Sequence, residues 1–189
     1  MSPGEKLYFE SFREVVKAIH STLDIKIVLN LMVKKVSEAM NLKGCAIRLL
    51  DSTRMRLELV SSHGLSERYL MKGSVDVDRS ISEVMRGKTV SIYDAKEDPA
   101  IQYRKEAVEE GIASLISVPL SAKGKVIGVL RLYTAEPRVL SGDETNFIEA
   151  LAEMGAIAIE NARMYERIRK DYEAVMTDLG TFSDYRRTT

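Results

Sequence analysis

The stretch IASLISVPLSAKGKVIGVLRLY (112–133) decides the fold. Its two halves, 112–120 and 126–133, consist at their centres almost entirely of β-branched residues and leucine. Such short apolar runs are typical of strands that are buried on both faces. The segment SAKGK (121–125) between them supplies the short glycine-containing loop of a β-hairpin. The stretch therefore predicts two neighbouring antiparallel strands inside a sheet.

Two further strand patterns precede this hairpin, and a third is short. The segment CAIRLLD (45–51) is apolar at most positions, as expected of a central strand. After a turn at 51–54, apolar and charged residues alternate from Met55 to Leu59, which predicts a strand with one face in water. VSIYD (90–94) is predicted as a short strand. The residues that follow the second strand have no sustained period.

Short helices are predicted between these strands. Ser80 and Glu83 have the spacing of a capping box, and Gly87 stands where a glycine would end the helix. Asp98, which proline follows, is the predicted N-cap of another helix, and we expect Gly111 to end it. The insert between the second strand and the hairpin is therefore a mixture of loops and short helices.

Helical periodicity dominates the N-terminal region. Apolar side chains three and four residues apart share one face of a first helix: Tyr8, Phe12, Val15 and Ile19. Asp24 is the predicted N-cap of a second helix, which is expected to end at 41–44.

The last predicted helix is the longest. Ser141 and Glu144 form a capping box at its start, and its pattern continues without proline to about Asp178. A second apolar row accompanies the helix only as far as Ala162, so we expect the helix to leave the domain near Arg163 and to project by about 20 Å. Throughout, one row keeps the spacing of a coiled-coil seam: Phe147, Leu151, Met154, Ala158, Asn161, Tyr165, Ile168, Tyr172, Val175 and Leu179.

This seam predicts a parallel homodimer in which the N-terminal helices complete a four-helix bundle. A solitary helix would leave its apolar row in water, at a cost of about 25 cal/mol per Å². Asn161 either pairs across the two-fold axis and sets the register, or faces its own domain. The predicted interface consists of Tyr8, Phe12, Val15, Ile19, Leu151, Met154, Ala158, Asn161, Tyr165, Ile168, Tyr172 and Val175.

Composition argues against several classes of protein. The 189 residues include 28 Lys and Arg and 28 Asp and Glu, whereas a nucleic-acid-binding protein usually has a basic excess. A single cysteine, Cys45, excludes a disulfide framework and a multi-cysteine zinc site. The two histidines, His20 and His63, are too few for a His-rich metal centre. With no apolar run of membrane-spanning length and no secretory signal, we expect a cytoplasmic protein.

The order of these elements, together with several short motifs, resembles a GAF domain. SHGL (62–65) follows the second strand, SVPL (117–120) ends one central strand, and IGVL (127–130) begins the next. The final helix carries AIAIENAR (156–163). The resemblance extends over about residues 20–170.

The resemblance implies an α+β fold of the GAF type, related to PAS domains, with a mostly antiparallel sheet of five or six strands. Terminal helices would cover one face, and the insert at about 62–111 would roof a ligand pocket on the other. Together with the helical patterns, this gives the expected organisation: a dimer-forming helix (1–22), a GAF domain (23–163), a coiled-coil extension (164–180) and a frayed tail (181–189). GAF domains are sensory and dimerisation modules of signalling proteins, bacterial ones included, with diverse ligands or none.

Most ligand chemistries of the family are not matched by the residues present. The cyclic-nucleotide branch of the family uses an Asn-Lys pair, then Phe, then Asp-Glu. This chain has Thr-Ala (134–135), Leu140 and Asp-Glu (143–144) at the matching positions, so only the acidic pair is kept. The helix dipole favours acidic residues in a first helical turn, which explains this pair without a ligand. Cys45 lies inside a strand, so we expect a buried hydrophobe and not a bilin attachment site. One cysteine cannot complete the thiol cycle of a GAF-type methionine-sulfoxide reductase. We expect His63 to cap a loop, and we expect no cofactor or metal.

Two arginines in apolar strands, Arg48 and Arg131, are the principal candidates for ligand binding. If they face the pocket, both guanidinium groups can hold an anion; alternatively, they pair with an acidic residue of the insert or extend to solvent. Tyr93 and Tyr103, in the roofing segments, either stack on a planar ligand or close the core. The full candidate set is Arg48, Ser61, Tyr93, Tyr103, Ser114, Ile116, Val118 and Arg131.

The leading functional hypothesis is a non-enzymatic sensory module. A small molecule in the pocket would bias the packing of the terminal helices, and the coiled coil would pass this bias to a signalling output partner. The alternative is a structural dimerisation module whose pocket is filled by its own side chains. An enzyme ranks behind both, because no nucleophile, base and orienting group can be assembled. The chain either acts on a separate protein or is one piece of a longer signalling protein.

Overall fold

Six antiparallel strands form one sheet in the order β3-β2-β1-β6-β5-β4. The computed structural model describes residues 3–77 and 81–185. The strands are β1 (Gly44–Leu50), β2 (Arg56–His63), β3 (Val75–Asp76), β4 (Val90–Ile92), β5 (Ser114–Ala122) and β6 (Lys125–Thr134).

The terminal helices cover one face of this sheet, and the short helices and loops of the insert cover the other. This arrangement confirms the predicted α+β fold. The helices are α1 (Pro3–Ser21), α2 (Ile25–Ala39), α3 (Glu67–Leu70), α4 (Ser82–Met85), α5 (Arg104–Glu110) and α6 (Gly142–Tyr185). No helix within the described ranges combines the length and apolarity that crossing a membrane requires.

The predicted hairpin is present, and it forms the centre of the sheet. The two residues of its turn, Lys123 and Gly124, both have positive φ (51° and 73°), as a two-residue turn between twisted strands requires. β6 pairs with β5 on one side and with β1 on the other. A Cβ atom on Gly128 would lie 2.4 Å from the carbonyl oxygen of Arg48, so only glycine permits this close approach of β6 to β1.

The helix-side core is a continuous apolar layer. Val15 of α1, Met32 of α2 and Leu151 of α6 are fully buried in it, together with Ile47 and Leu130 of the sheet. The predicted second apolar row of α6 includes Gly155, where the helices pack closely. At Gly155 of that row, a Cβ atom would lie 2.9 Å from the Met32 sulfur, so α6 and α2 pack with no room for a side chain at this position.

Two smaller apolar clusters lie beneath the insert. One joins Tyr133 and Leu115 of the sheet to Tyr69 of α3 and Ala107 of α5. The other contains Leu50, Leu57, Val75, Ile81, Val84 and Val129. The insert is thus anchored by modest clusters and not by one continuous core.

Most predicted helix caps are found. The Asp24 side chain accepts a hydrogen bond from the Lys26 amide at 2.9 Å at the start of α2. At the start of α6, the Ser141 amide donates to Glu144 at 2.8 Å, and the Glu144 amide donates to the Ser141 hydroxyl at 3.2 Å. Both bonds of the predicted capping box are therefore formed. Gly111 follows α5 with a φ of 75°, as predicted for a helix-ending glycine.

The predicted start of α5 is wrong. The helix begins at Arg104 and not after Asp98. Asp98 accepts a hydrogen bond from the Ala100 amide at 2.8 Å, so it caps a turn in place of a helix. Ser80 of the other predicted capping box lies outside the described residues.

The long helix α6 changes its environment along its length. Side chains on one side of the helix are buried in the domain as far as Ile159, and all those from Arg163 to Thr177 are exposed. The helix continues to Tyr185, beyond residue 181, where the sequence predicts a frayed tail. Residues 186–189 of that tail lie outside the described residues.

Candidate anion-binding pocket

The predicted ligand-binding residues divide between the two faces of the sheet. Arg48, Tyr103 and Arg131 lie beneath the insert. Ile116 and Val118 are instead fully buried in the helix-side core, so their assignment to the pocket face is wrong. Side chains alternate along a strand, and it is Leu115 of β5 that faces the insert.

Three more of the predicted residues lie outside the pocket. The Ser61 hydroxyl donates to Asn30 Oδ1 of α2 at 2.6 Å, which places Ser61 on the helix side. The Ser114 hydroxyl donates to the Tyr93 carbonyl oxygen at 2.8 Å and accepts from the Arg138 amide at 2.9 Å, so it holds two loops together. The Tyr93 side chain is 59% exposed.

A small cavity lies between the sheet and the insert. Its volume is about 10 Å³, which is about the space that one water molecule requires. Its walls combine aromatic and aliphatic side chains with two basic residues, a lysine and an arginine. They are formed by Tyr69, Lys72, Val75, Ile92, Ile101, Gln102, Tyr103, Leu115 and Arg131.

Arg131 is buried because its neighbours in the sheet are small. It lies in register with Ala46 of β1 and Ser117 of β5, which leave room for a guanidinium group above the sheet. The residue is only 4% exposed, and its Nε has no hydrogen-bond partner. Among the described residues, no carboxylate lies within ion-pairing distance of Arg131. The two alternatives to ligand binding, an ion pair with the insert and extension of the side chain to solvent, are therefore not seen for Arg131.

Arg48 is buried even more completely, at 1% exposure. Its Nη1 donates to the carbonyl oxygens of Leu57 and Gly73, both at 3.3 Å. Its Nε is also without a partner, and no acidic side chain pairs with it among residues 3–77 and 81–185. Burying a charge without a carboxylate partner is costly, so these two guanidinium groups under one insert are the unusual feature of this side of the sheet.

A third basic residue, Lys72, lies close enough to feel the charges of both arginines. Lys72 lies between α3 and β3, and its Nζ is 2.9 Å from the centre of the Tyr69 ring and 5.8 Å from those of Tyr103 and Tyr133. Its Nζ has no hydrogen-bond partner. Sequence reasoning missed Lys72, because a lysine in a segment without period is typical of the solvent-exposed surface.

The other reactive side chains are poorly placed for chemistry. Cys45 is fully buried under the helices, and burial raises the pKa of its thiol far above the usual range, so little reactive thiolate forms. His63, at the end of β2, is exposed. In the described part of the chain, no three His, Cys, Asp or Glu side chains are grouped as a metal would need. Glu144 is engaged by Ser141 and Arg138.

The residues of the predicted dimer interface also divide into two sets. Val15 and Leu151 are fully buried within their own domain, and Tyr8 stacks on Phe147 with ring centres 4.6 Å apart. Phe12 and Ile19 pack partly against the same core, Ala158 is buried and Met154 is half-buried. The exposed members lie further along α6: Asn161, Tyr165, Ile168, Tyr172 and Val175.

The chain is similar to parts of larger regulatory proteins. It is 24% identical to the formate hydrogenlyase transcriptional activator of Salmonella typhimurium over 181 residues, which is 92% of this chain and 26% of that protein. It is also 24% identical over 181 residues to the methyl sulfide methyltransferase-associated sensor of Methanosarcina acetivorans, covering 92% of this chain and 18% of that protein. This chain therefore spans 26% of the length of the first relative and 18% of the length of the second.

A solved structure agrees on the fold. The GAF domain of a phosphoenolpyruvate-protein phosphotransferase from Coxiella burnetii superposes with a TM-score of 0.76 at 21% identity, covering 88% of this chain and 99% of the other. The family model for the GAF domain matches residues 22–160. The match spans well over half of the chain and the expected sheet and helices are present, so this chain belongs to the GAF domain family.

Proposed function

We propose that this chain is a sensory or regulatory module that binds a small anionic molecule between the sheet and the insert. The observation that carries the proposal is the pair of buried guanidinium groups of Arg48 and Arg131. Each retains an Nε without a partner, and neither is neutralised by a described side chain. An anion would supply both the missing acceptors and the missing negative charge.

The relatives support a regulatory role. Their names describe a transcriptional activator and a sensor, and this chain aligns with one portion of each. We therefore propose that the module serves an output function, carried by the same protein or by a partner, and works in the cytoplasm without catalysing a reaction. No nucleophile, base and orienting group come together in the part of the chain that the structure describes.

The route of the signal follows from the two faces of β6. Arg131 faces the insert, whereas its neighbours Leu130 and Leu132 are buried under the terminal helices. A ligand that displaces Arg131 therefore acts on β6, which pairs with β5, the strand against which α6 mainly packs. The module signals if the two helix arrangements bind the anion with different affinity.

The output of this route is a parallel homodimer through α6. The exposed apolar side chains of its distal half, Tyr165, Ile168, Tyr172 and Val175, recur at coiled-coil spacing. A partner helix would remove this row from water.

A structural module with a self-filled pocket is the second candidate. The cavity has room for about one water molecule, because Lys72 and Tyr69 occupy much of the space beneath the insert. In that case the buried cations carry no ligand, and the domain contributes only dimerisation.

Ligand-induced stabilisation separates the two candidates. Oxalate and sulfate, compared with chloride at equal ionic strength, should raise the melting temperature of the chain. Saturation at 100 times the dissociation constant corresponds to about 2.7 kcal/mol. Arg48→Met and Arg131→Met should abolish the shift and remain folded, whereas Arg86→Met, at an exposed arginine, should retain it. An unchanged shift in both pocket variants would remove these arginines from the site, and no shift in the unaltered chain would favour the self-filled pocket.

The dimer is tested separately by light scattering on the intact chain. Ile168→Lys with Tyr172→Lys places charges on the apolar row and should yield monomers, because a buried charge without a partner is costly. Lys170→Glu, on the opposite side of the helix, is the control and should leave the dimer intact. An unaltered chain that stays monomeric at high concentration contradicts the dimer.

A further inference from the structure

Lys72 is held under the insert by the backbone on both sides of it. On its N-terminal side, the Ser66 hydroxyl caps α3, and Glu110 accepts a hydrogen bond from the Ser66 amide at 2.8 Å. On its C-terminal side, the Tyr103 hydroxyl donates to the Ser74 carbonyl oxygen at 2.9 Å. Lysine side chains usually extend to water, so an amine without a hydrogen-bond partner, on a segment fixed at both ends, is exceptional.

A second clamp fixes the strand that follows Lys72. The Asp76 amide donates to Gln102 Oε1 at 2.8 Å, and Gln102 Nε2 donates to Asp76 Oδ2 at 3.1 Å. Gln102 also lines the cavity. These bonds therefore fix the backbone on both sides of Lys72 within the folded insert.

Charged side chains of three elements interact electrostatically with the Lys72 amine. Arg48 of β1 and Arg131 of β6 repel a proton on it, whereas Glu106 and Glu110 of α5 attract one. The remaining neighbours are the rings of Tyr69, Tyr103 and Tyr133. Burial first, and the two arginines second, lower the pKa of the Lys72 amine to about 6. In the empty pocket at neutral pH, the amine is therefore mostly uncharged.

We propose that the pocket takes a compact oxyanion with two negative charges, and that Lys72 is its third contact and gains a proton when the anion binds. This inference rests on the anion pocket proposed above. Two permanent guanidinium charges are matched by two negative charges, whereas a monoanion leaves one of them uncompensated. The additional charge on the Lys72 ammonium is favoured by Glu106 and Glu110 of α5. The empty cavity has room for about one water molecule, so an oxyanion enters by displacing the Lys72 and Tyr69 side chains that fill the space. The anion must be compact, because the clamps on the backbone around Lys72 limit how far this space can widen. No covalent bond forms: the proton comes from solvent, and the ammonium donates to the bound oxyanion.

Proton uptake makes affinity depend on pH. An anion beside the amine favours its charged form, so the pKa of Lys72 rises on binding. Between the pKa values of the empty and occupied pocket, one proton is taken up for each anion bound. The dissociation constant should then increase roughly tenfold between about pH 7 and about pH 8. With Lys72→Met, affinity should become independent of pH and should approach that of the unaltered chain at high pH.

Calorimetric titration of the full chain tests this with two matched pairs of anions. Oxalate and oxamate are similar planar anions with two charges and one charge, and sulfate and methanesulfonate are the corresponding tetrahedral pair. The charges of all four are constant between about pH 6.5 and about pH 8.5, so any pH dependence belongs to the protein. The unaltered chain should prefer the dianion of at least one pair, more strongly at low pH. Lys72→Met should lose the pH dependence, and Lys88→Met, at an exposed lysine, should retain it.

The outcomes separate this inference from the proposed function. Binding of anions that Arg48→Met and Arg131→Met abolish supports the anion pocket. If that affinity is independent of pH, or if Lys72→Met behaves like the unaltered chain, the proposed role of Lys72 is wrong and the anion pocket stands. If none of the four anions binds, the pocket and the role of Lys72 both fail. An NMR titration of Lys72 in the empty protein gives an independent result: a pKa near the ordinary value of about 10.4 overturns proton uptake.

Discussion

The two faces of the sheet differ in what they bury: one is covered by apolar side chains, and the other contains three basic side chains with buried nitrogen atoms. On the helix side, one continuous layer of apolar side chains joins α1, α2 and α6 to the strands. On the insert side, two smaller apolar clusters surround Arg48, Lys72 and Arg131, each with a nitrogen that lacks a hydrogen-bond partner. The difference indicates that the helix side provides most of the apolar core, while the insert side buries guanidinium groups that no described carboxylate pairs with.

The same strands serve both faces. In β6, Leu130 and Leu132 anchor the strand under the helices, and Arg131 between them faces the insert. In β1, Ile47 lies in the helix-side core and the next residue, Arg48, faces the insert. Each buried arginine, which lowers stability, therefore lies on a strand whose other face is well packed against the helices.

The largest expected effect concerns the helix-side core. Leu151→Ala removes a fully buried side chain and should lower the free energy of unfolding by about 2–5 kcal/mol, because the cavity left behind cannot close completely. Denaturant unfolding measures the change. Ile157→Ala, on the same helix at 49% exposure, is the control and should lose much less. Equal losses would contradict the assignment of stability to this face.

Smaller changes in the free energy of unfolding, with opposite signs, are expected when Arg131 on the insert side and Arg138 on the helix side are replaced. Arg131→Met should raise the stability of the empty protein by about 1 kcal/mol, because it removes a buried charge without a partner. Arg138→Met should lower it by about 1 kcal/mol, because Arg138 donates to the Met40 carbonyl oxygen at 2.6 Å and pairs with Glu144. Chemical denaturation without added anions measures both. A loss of stability in Arg131→Met would show that its charge is already compensated.

The sequence predicts helices, strands and caps better than it predicts which side of the sheet a residue faces. The hairpin at 112–133 and the caps at Asp24 and Ser141 depend on local patterns, and all of them are found. The face of β5 was assigned wrongly, because a strand that is buried on both sides has no polar alternation to mark one of them. The choice of Ile116 in place of Leu115 follows from that ambiguity.

The candidate site was predicted only in part, for a related reason. A charge inside an apolar strand marks Arg48 and Arg131 in the sequence, but nothing local marks Lys72. Its burial depends on contacts between 66–76 and 102–110, which are distant in the chain and have no shared period. Tertiary clamps of this kind leave no signal in a single sequence.

The smallest expected effect compares two serine caps, one on each face. Ser141 caps α6, and Ser66 caps α3, where its hydroxyl accepts from the Tyr69 amide at 3.2 Å. Loss of an N-cap costs about 1 kcal/mol. Ser141→Ala should lower the global free energy of unfolding by that amount, because α6 belongs to the main core. Ser66→Ala should change global stability less, because α3 has only four residues and can open locally.

Amide hydrogen exchange locates the effect of Ser66→Ala. About 1 kcal/mol of local opening corresponds to roughly fivefold faster exchange, expected at the amides of Tyr69, Leu70 and Met71, just before Lys72. The Leu70 and Met71 amides donate to the Ser66 and Glu67 carbonyl oxygens, so they report directly on this turn. Exchange in α6 should stay unchanged. If exchange instead accelerates equally in α3 and in α6, the two faces open as one cooperative unit, and the insert is not the separate, less stable layer that a ligand could order.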